Sequence, residues 1–305
     1  MAAKVDSSQS DTERVSNRSA GIDTWPSSDV LSVLWQDQAD GVAAVRAAIG
    51  QLETAALAVA EQLRNNDSRL IYVGAGSSGV LAGLDGLELP CTFGWSLDRL
   101  AVYRADDPDN ILTIETAGDD GIDAARADFE KSNISDRDVV VTVSASGNTR
   151  YTCLFAEMAK EKGALVVGMA NNAESRLLQI TGYPVLLDTG PEVIAGSTRL
   201  KAGTAQKTAL GMFSTLVMTR LGHVFDGMMV DVELGNEKLK DRAARMVASI
   251  AKVDMTTALD SLTKGENNVK TAVLIAKGLT PTEAREVLTE SGQDLRKALI
   301  RIAEA

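Results

Sequence analysis

Apolar positions are not spread evenly along the chain. Val30, Leu31, Val33 and Leu34, then Val42, Val45, Ile49 and Leu52, recur at spacings of three and four. That period predicts helix over 29–65. Past residue 68 the pattern changes to short apolar runs rich in β-formers. They fall at 69–76 (RLIYVGAG), 98–105, 138–146, 164–171 and 183–190. Helical stretches separate most of them, 151–162 the plainest. Apolar strands alternating with helices predict a mostly parallel, doubly wound sheet of the α/β class.

Two long helices are predicted next, over 198–222 and 236–252. The tail has no strand signal and reads as about three short helices. Thr280-Pro-Thr-Glu283 is a helix start, with a hydroxyl cap, proline at the first position and glutamate at the third. Gly278 suits the stop of the helix before it. Residues 1–11 are polar and are expected to be disordered. The expected organisation is therefore a tail over 1–11, an α/β domain over 12–252 and a small helical domain over 253–305.

Charge narrows the partners. The chain of 305 residues carries a net charge of −11, which disfavours nucleic acid and anionic membrane surfaces. No uninterrupted apolar run reaches the roughly 18 residues of a membrane span. Cys91 and Cys153 form neither a disulfide framework nor a metal spacing, and His223 is the single histidine. No metal is expected, and a reduced, cytoplasmic setting is.

The chemistry sits in two loops. Gly74-Ala-Gly-Ser-Ser-Gly79 follows the first strand and opens a helix, the arrangement of an anion site. It also matches the dinucleotide pattern G-x-G-x-x-G. That reading needs an acidic residue about 20 positions on, at the end of the next strand. Here Asp106 and Asp107 come about thirty residues after the loop, so the spacing is poor. A second loop, Ser144-Ala-Ser-Gly-Asn-Thr149, also joins a strand to a helix. Two hydroxyl-and-glycine loops at strand ends suit a terminal phosphate better than a pyrophosphate. Gly76, Ser77, Ser78, Gly79, Ser146, Gly147 and Thr149 are the phosphate-binding candidates.

The two loops resemble those of sugar isomerase (SIS) domains. Further on, GPEVIAGSTRLKAGTAQK at 190–207 is similar to the signature of the N-acetylmuramic acid 6-phosphate etherase family. LDGLELPCTFG at 84–94, GMMVDV at 227–232 and KTAVL at 270–274 also fit. The resemblance spans nearly the whole chain. It implies a SIS-type α/β/α sandwich with a small C-terminal helical domain, acting as a homodimer on a phosphorylated amino sugar. It further implies cleavage of the D-lactyl ether to N-acetylglucosamine 6-phosphate and D-lactate, within cell-wall sugar recycling and without a cofactor. Glu192, Ser197, Thr198 and Lys201, in the 190–207 signature, are added as binding candidates.

Residue by residue, the resemblance puts the family's acid carboxylate at Glu88. The second carboxylate position is filled by Gly118, in Ile114 to Asp119 (IETAGD). Glu115 and Asp119 are the flanking catalytic candidates. Val80 and Asn148 stand where the family has arginine, and Trp35 where it has asparagine. Gly118 keeps two alternatives open, a non-catalytic phosphosugar-binding regulator and a phosphosugar isomerase.

Overall fold

The computed structural model describes residues 11–64, 67–105 and 121–304. These divide into two compact units. One runs up to Leu87 and from Asp98 to Leu216; the other comprises 88–97 and 217–305.

In the first unit, α1 (Ser27–Val45) and α2 (Ile49–Leu63) precede β1 (Leu70–Gly74). Then come α3 (Gly76–Phe93), β2 (Leu100–Arg104), α4 (Ile122–Ser132), β3 (Val139–Ser144) and α5 (Arg150–Glu161). β4 (Leu165–Ala170), α6 (Arg176–Ile180), β5 (Tyr183–Leu186) and α7 (Lys201–Arg220) complete it, α3 and α7 each continuing into the second unit. The strands form one parallel sheet in the order β2-β1-β3-β4-β5. All five expected strands are present. Every residue of β1 and of β3 is buried, which is why they read as unbroken apolar runs and not as alternation. Ile71, Val73 and Val140 pack with Phe129 of α4, Phe155 of α5 and Leu177 of α6 on one face. α2 lies against β3, β4 and β5.

The helical segment expected over 29–65 forms as two helices, parted by a 3₁₀ turn at Arg46–Ala48. The Ser27–Leu63 stretch also contains 18 residues of mean hydropathy 1.4, apolar enough by length and composition to cross a membrane. Counting uninterrupted runs misses this average. Part of that apolarity is core: Leu52, Ala55, Ala56, Val59, Ala60 and Leu63 are buried. Part is exposed, at Leu31, Trp35, Val42 and Ile49.

β1 and β3 are tied at their entrances by an ion pair. Asp138, 2% exposed, accepts from the Arg69 guanidinium at 2.8 Å and from the amides of Arg69 and Ser135. Burial pushes the Asp138 carboxyl up, but Arg69 and the two amides outweigh it and hold it below the usual carboxylate range. Its stabilising contribution is therefore complete above the unfolded pKa of about 3.9 and is lost as pH falls through the lower folded value. Asp138→Ala is expected to destabilise by about 2–4 kcal/mol at pH 7, because it removes the carboxylate partner of the partly buried Arg69 and the acceptor of two amides. Urea midpoints measured from pH 7 to pH 3 check this, since the penalty shrinks at the acid end.

The second unit holds a short hairpin, β6 (Val224–Phe225) with β7 (Met228–Met229), then α8 (Glu237–Ala251). Four helices follow, not three: α9 (Met255–Lys264), α10 (Val269–Ala276), α11 (Pro281–Glu290) and α12 (Leu295–Glu304). α10 has only eight residues, capped by Asn268, and gives little periodicity to read. The capping box at Thr280 and Glu283 forms as expected. Inside this unit Asp231 is ion-paired with the buried Lys270 and lies 2.8 Å from His223 Nδ1.

Candidate phosphosugar site

β1 is the point where the sheet order reverses: β2 lies on one side of it and β3 on the other. Ligands of open parallel sheets bind in the crevice at such a point, outside the carboxyl ends of the strands. Gly74 and Val143 are in register at those ends, so the two glycine-and-hydroxyl loops leave adjacent strands at one level.

The first loop turns tightly from β1 into α3. A Cβ on Gly74 would lie 2.8 Å from the Gly79 Cα, and one on Gly79 would lie 2.9 Å from the Gly74 carbonyl. Strand end and helix start thus touch backbone to backbone, which neither position permits with a side chain. Gly76, Ser77, Ser78 and Gly79 form the first turn of α3, where amide donors and the helix dipole favour an anion. Ser78 is buried and Ser77 partly exposed.

The second loop is built by its own hydroxyls. Ser144 Oγ is 2.9 Å from Thr149 Oγ1 and accepts the Gly147 amide at 3.0 Å. Ser146 Oγ accepts the Asn148 amide at 3.1 Å. Ser146 and Thr149 stay partly exposed, so their hydroxyls can turn to a ligand. The Gly147 and Asn148 amides are spent within the loop. Asn148 Oδ1 accepts the Arg176 amide, so this residue ties the loop to α6.

Several of these supports gave no sequence signal of their own. Asn172 Nδ2 donates to the Ala145 carbonyl at 2.9 Å, and Asn171 is held between Leu187 and Gln206. An asparagine pair directly after β4 was the available sign. Ser144, the last residue of β3, was visible in the quoted loop but not as its organiser.

The 190–207 segment leads into α7. Glu192 is fully buried, and its two carboxylate oxygens accept the Lys201 and Ala202 amides at 2.9 Å each. Burial pushes its carboxyl up, and those amides pull it back. Lys201 Nζ is 2.9 Å from Asp37 Oδ1 of α1 and also donates to the Pro191 carbonyl. Glu192 and Lys201 therefore face inward and fix the start of α7, while Ser197 and Thr198 remain partly exposed in the turn before it. Glu192→Ala is expected to cost about 2–3 kcal/mol in thermal or urea melts, since two helix-end amides lose their acceptor.

Glu88 is an exposed residue of α3. Glu115, Gly118 and Asp119, like Asp106 and Asp107, lie outside the described residues. Among the described residues, no group of three or more His, Cys, Asp or Glu could hold a metal ion.

Residues 119–216 match the SIS domain family. The chain is 42% identical over 289 residues to the N-acetylmuramic acid 6-phosphate etherase of Deinococcus radiodurans, covering 94% of each chain. It is 40% identical to that of Streptomyces coelicolor, over 94% of this chain and 93% of the relative. It is 35% identical to that of Mycolicibacterium smegmatis, over 97% and 99%. With its fold, its paired loops and relatives matched from end to end, the chain belongs to the N-acetylmuramic acid 6-phosphate etherase family.

Proposed function

We propose that the protein is a carbon–oxygen lyase that cleaves the lactyl ether of N-acetylmuramic acid 6-phosphate, giving N-acetylglucosamine 6-phosphate and D-lactate. The observation that carries this reading is 35–42% identity to etherases over nearly the whole chain, combined with two hydroxyl loops on adjacent strand ends. Ser77, Ser78, Ser146 and Thr149, with the α3 amides, hold the phosphate. Ser197 and Thr198 extend the pocket, and Glu192 and Lys201 shape it from behind.

The chemistry needs two proton transfers. A base removes the C2 proton beside the open-chain aldehyde. The C3–O bond then breaks, the electrons move to the departing oxygen, and an acid protonates it as D-lactate. Water adds at C3, giving its oxygen to the sugar and returning a proton. Glu88 is the acid in this reading. Asp119, or Glu115, is the base, because Gly118 has no group to titrate. An acid and a base must start in opposite protonation states, which carboxylates in unlike surroundings can do.

We further propose a homodimer in the cytoplasm, serving cell-wall sugar recycling. The exposed apolar residues Trp35 and Leu31 of α1 and Leu84 and Leu87 of α3 supply surface for a second copy. Light scattering that gives twice the 32.3 kDa chain mass supports this, and the chain mass alone contradicts it.

The direct test of the activity is D-lactate release from N-acetylmuramic acid 6-phosphate. Release is expected from the 6-phosphate and not from the unphosphorylated sugar. Gly118 favours a second reading, a phosphosugar-binding regulator. That reading predicts thermal stabilisation by N-acetylglucosamine 6-phosphate with no lactate release.

A further inference from the structure

Up to Gly86, the face that α3 turns to the sheet is almost bare. Gly79, Gly83 and Gly86 fall at helical spacing, and added Cβ atoms there would meet the Gly74 backbone, Val102 and the Tyr72 ring at 2.9, 3.2 and 3.0 Å. Such a face lets a helix approach a sheet closely. It also lacks the interlocking side chains that would fix the helix against rotation and sliding.

One polar group on α3 supplies that fixation. Asp85 is 2% exposed. Its Oδ2 accepts from the Tyr72 hydroxyl of β1 at 2.8 Å, and its Oδ1 accepts from the Ser214 hydroxyl of α7 at 3.1 Å. Tyr72 is fully buried and Ser214 is 3% exposed. Burial, with Asp85 beside it, raises the Tyr72 phenol well above its ordinary pKa, so it remains a donor. A buried carboxylate is costly to keep, and an apolar residue of similar size would pack without that cost. What Asp85 adds is direction: two hydrogen bonds to two different elements define the rotation of α3.

Glu88 follows Asp85 by three residues, one helical turn, on nearly the same face. Two residues beyond Glu88, Pro90 lies inside the helix and leaves the Gly86 carbonyl without its usual donor. The turn that bears Glu88, with the buried Leu89 beside it, therefore lies between the Asp85 contacts and the weakened point at Pro90. We propose that Asp85, held by Tyr72 and Ser214, is a positioning residue that sets the aim of Glu88 in proton delivery to the departing lactate oxygen. This rests on the etherase reading.

The test separates the two proton transfers. Lactate release needs both the base and Glu88. Exchange of the C2 hydrogen of N-acetylglucosamine 6-phosphate with D2O needs only the base. Tyr72→Phe and Asp85→Asn are each expected to lower kcat for lactate release about 10- to 100-fold, the cost of a misaimed group, with KM little changed. C2 exchange is expected to stay near the wild-type rate. In a Glu88→Gln background, adding Tyr72→Phe is expected to lower lactate release no further. Ser214→Ala provides a third, milder variant should Asp85→Asn not fold.

Losses that multiply in the Glu88→Gln background, or C2 exchange that falls with lactate release, overturn the proposal and leave Asp85 a structural residue. Absence of lactate release from the wild-type chain is a different failure. It overturns the etherase reading itself, before any variant is compared.

Discussion

Glu88→Gln lowers D-lactate release about 10²- to 10⁴-fold, the usual loss when a general acid is removed. The lactate oxygen leaves from a secondary carbon as an alkoxide, too basic to depart without a proton. Glutamine keeps the shape and hydrogen-bonding capacity of the side chain but has no titratable proton. The substitution is at an exposed position of α3, so the melting temperature is expected to stay unchanged. Stabilisation by N-acetylglucosamine 6-phosphate is expected to persist, because the phosphate loops are untouched. A variant that releases lactate at the wild-type rate would remove Glu88 from the chemistry.

Gly147→Ala has the second largest expected effect. Gly147 has φ +67°, in the left-handed region, and an added Cβ would lie 2.3 Å from the Ser175 Cβ and 2.9 Å from the Ala170 Cβ. Both neighbours are Cβ atoms fixed directly to backbone, so neither can swing aside. We expect a stability loss of about 2–4 kcal/mol from strain and overpacking together. The Ser144–Thr149 hydroxyl cluster shifts with the loop, so phosphosugar-dependent stabilisation is lost as well. Adding Ser175→Gly removes the facing atom and is expected to recover part of the melting temperature. No recovery would locate the cost in the backbone conformation alone. Thermal melts with and without N-acetylglucosamine 6-phosphate read both effects.

The centre of the sheet was legible because burial on both faces writes β1, β3 and most of β4 as apolar runs. β1 and β3 contain no exposed residue. The turn at Arg46–Ala48 was not legible, since Arg-Ala-Ala carries neither glycine nor proline and differs from helix only in its hydrogen bonds. α7 starts at Lys201, three residues after the expected 198, because Ser197 to Leu200 form turns before Glu192 caps the helix.

The two phosphate loops were legible as motifs, since glycine and serine at a strand end have few other uses. Their supports were not. Asp37 and Lys201 pair across 164 residues, and Asn172 reaches Ala145 from the next strand. Such contacts come from the sheet order and leave no periodic trace. Glu192 and Lys201 stand in a signature segment, but sequence spacing does not tell a side chain facing a ligand from one facing the core. Asp85 shows the same limit. It is one acidic residue in a helix, and its burial between Tyr72 and Ser214 follows from which strand and which helix lie beside it.

The measurement that tests the account most directly is the reaction of the purified protein with N-acetylmuramic acid 6-phosphate in H2¹⁸O. Elimination followed by hydration predicts D-lactate without ¹⁸O and N-acetylglucosamine 6-phosphate with ¹⁸O at C3, the C1 oxygen being read separately because the open-chain aldehyde exchanges it with water. Label in the lactate would mean attack of water on the lactyl carbon and would contradict the mechanism. No lactate, alongside stabilisation by the phosphosugar, would contradict the lyase and leave a binding protein.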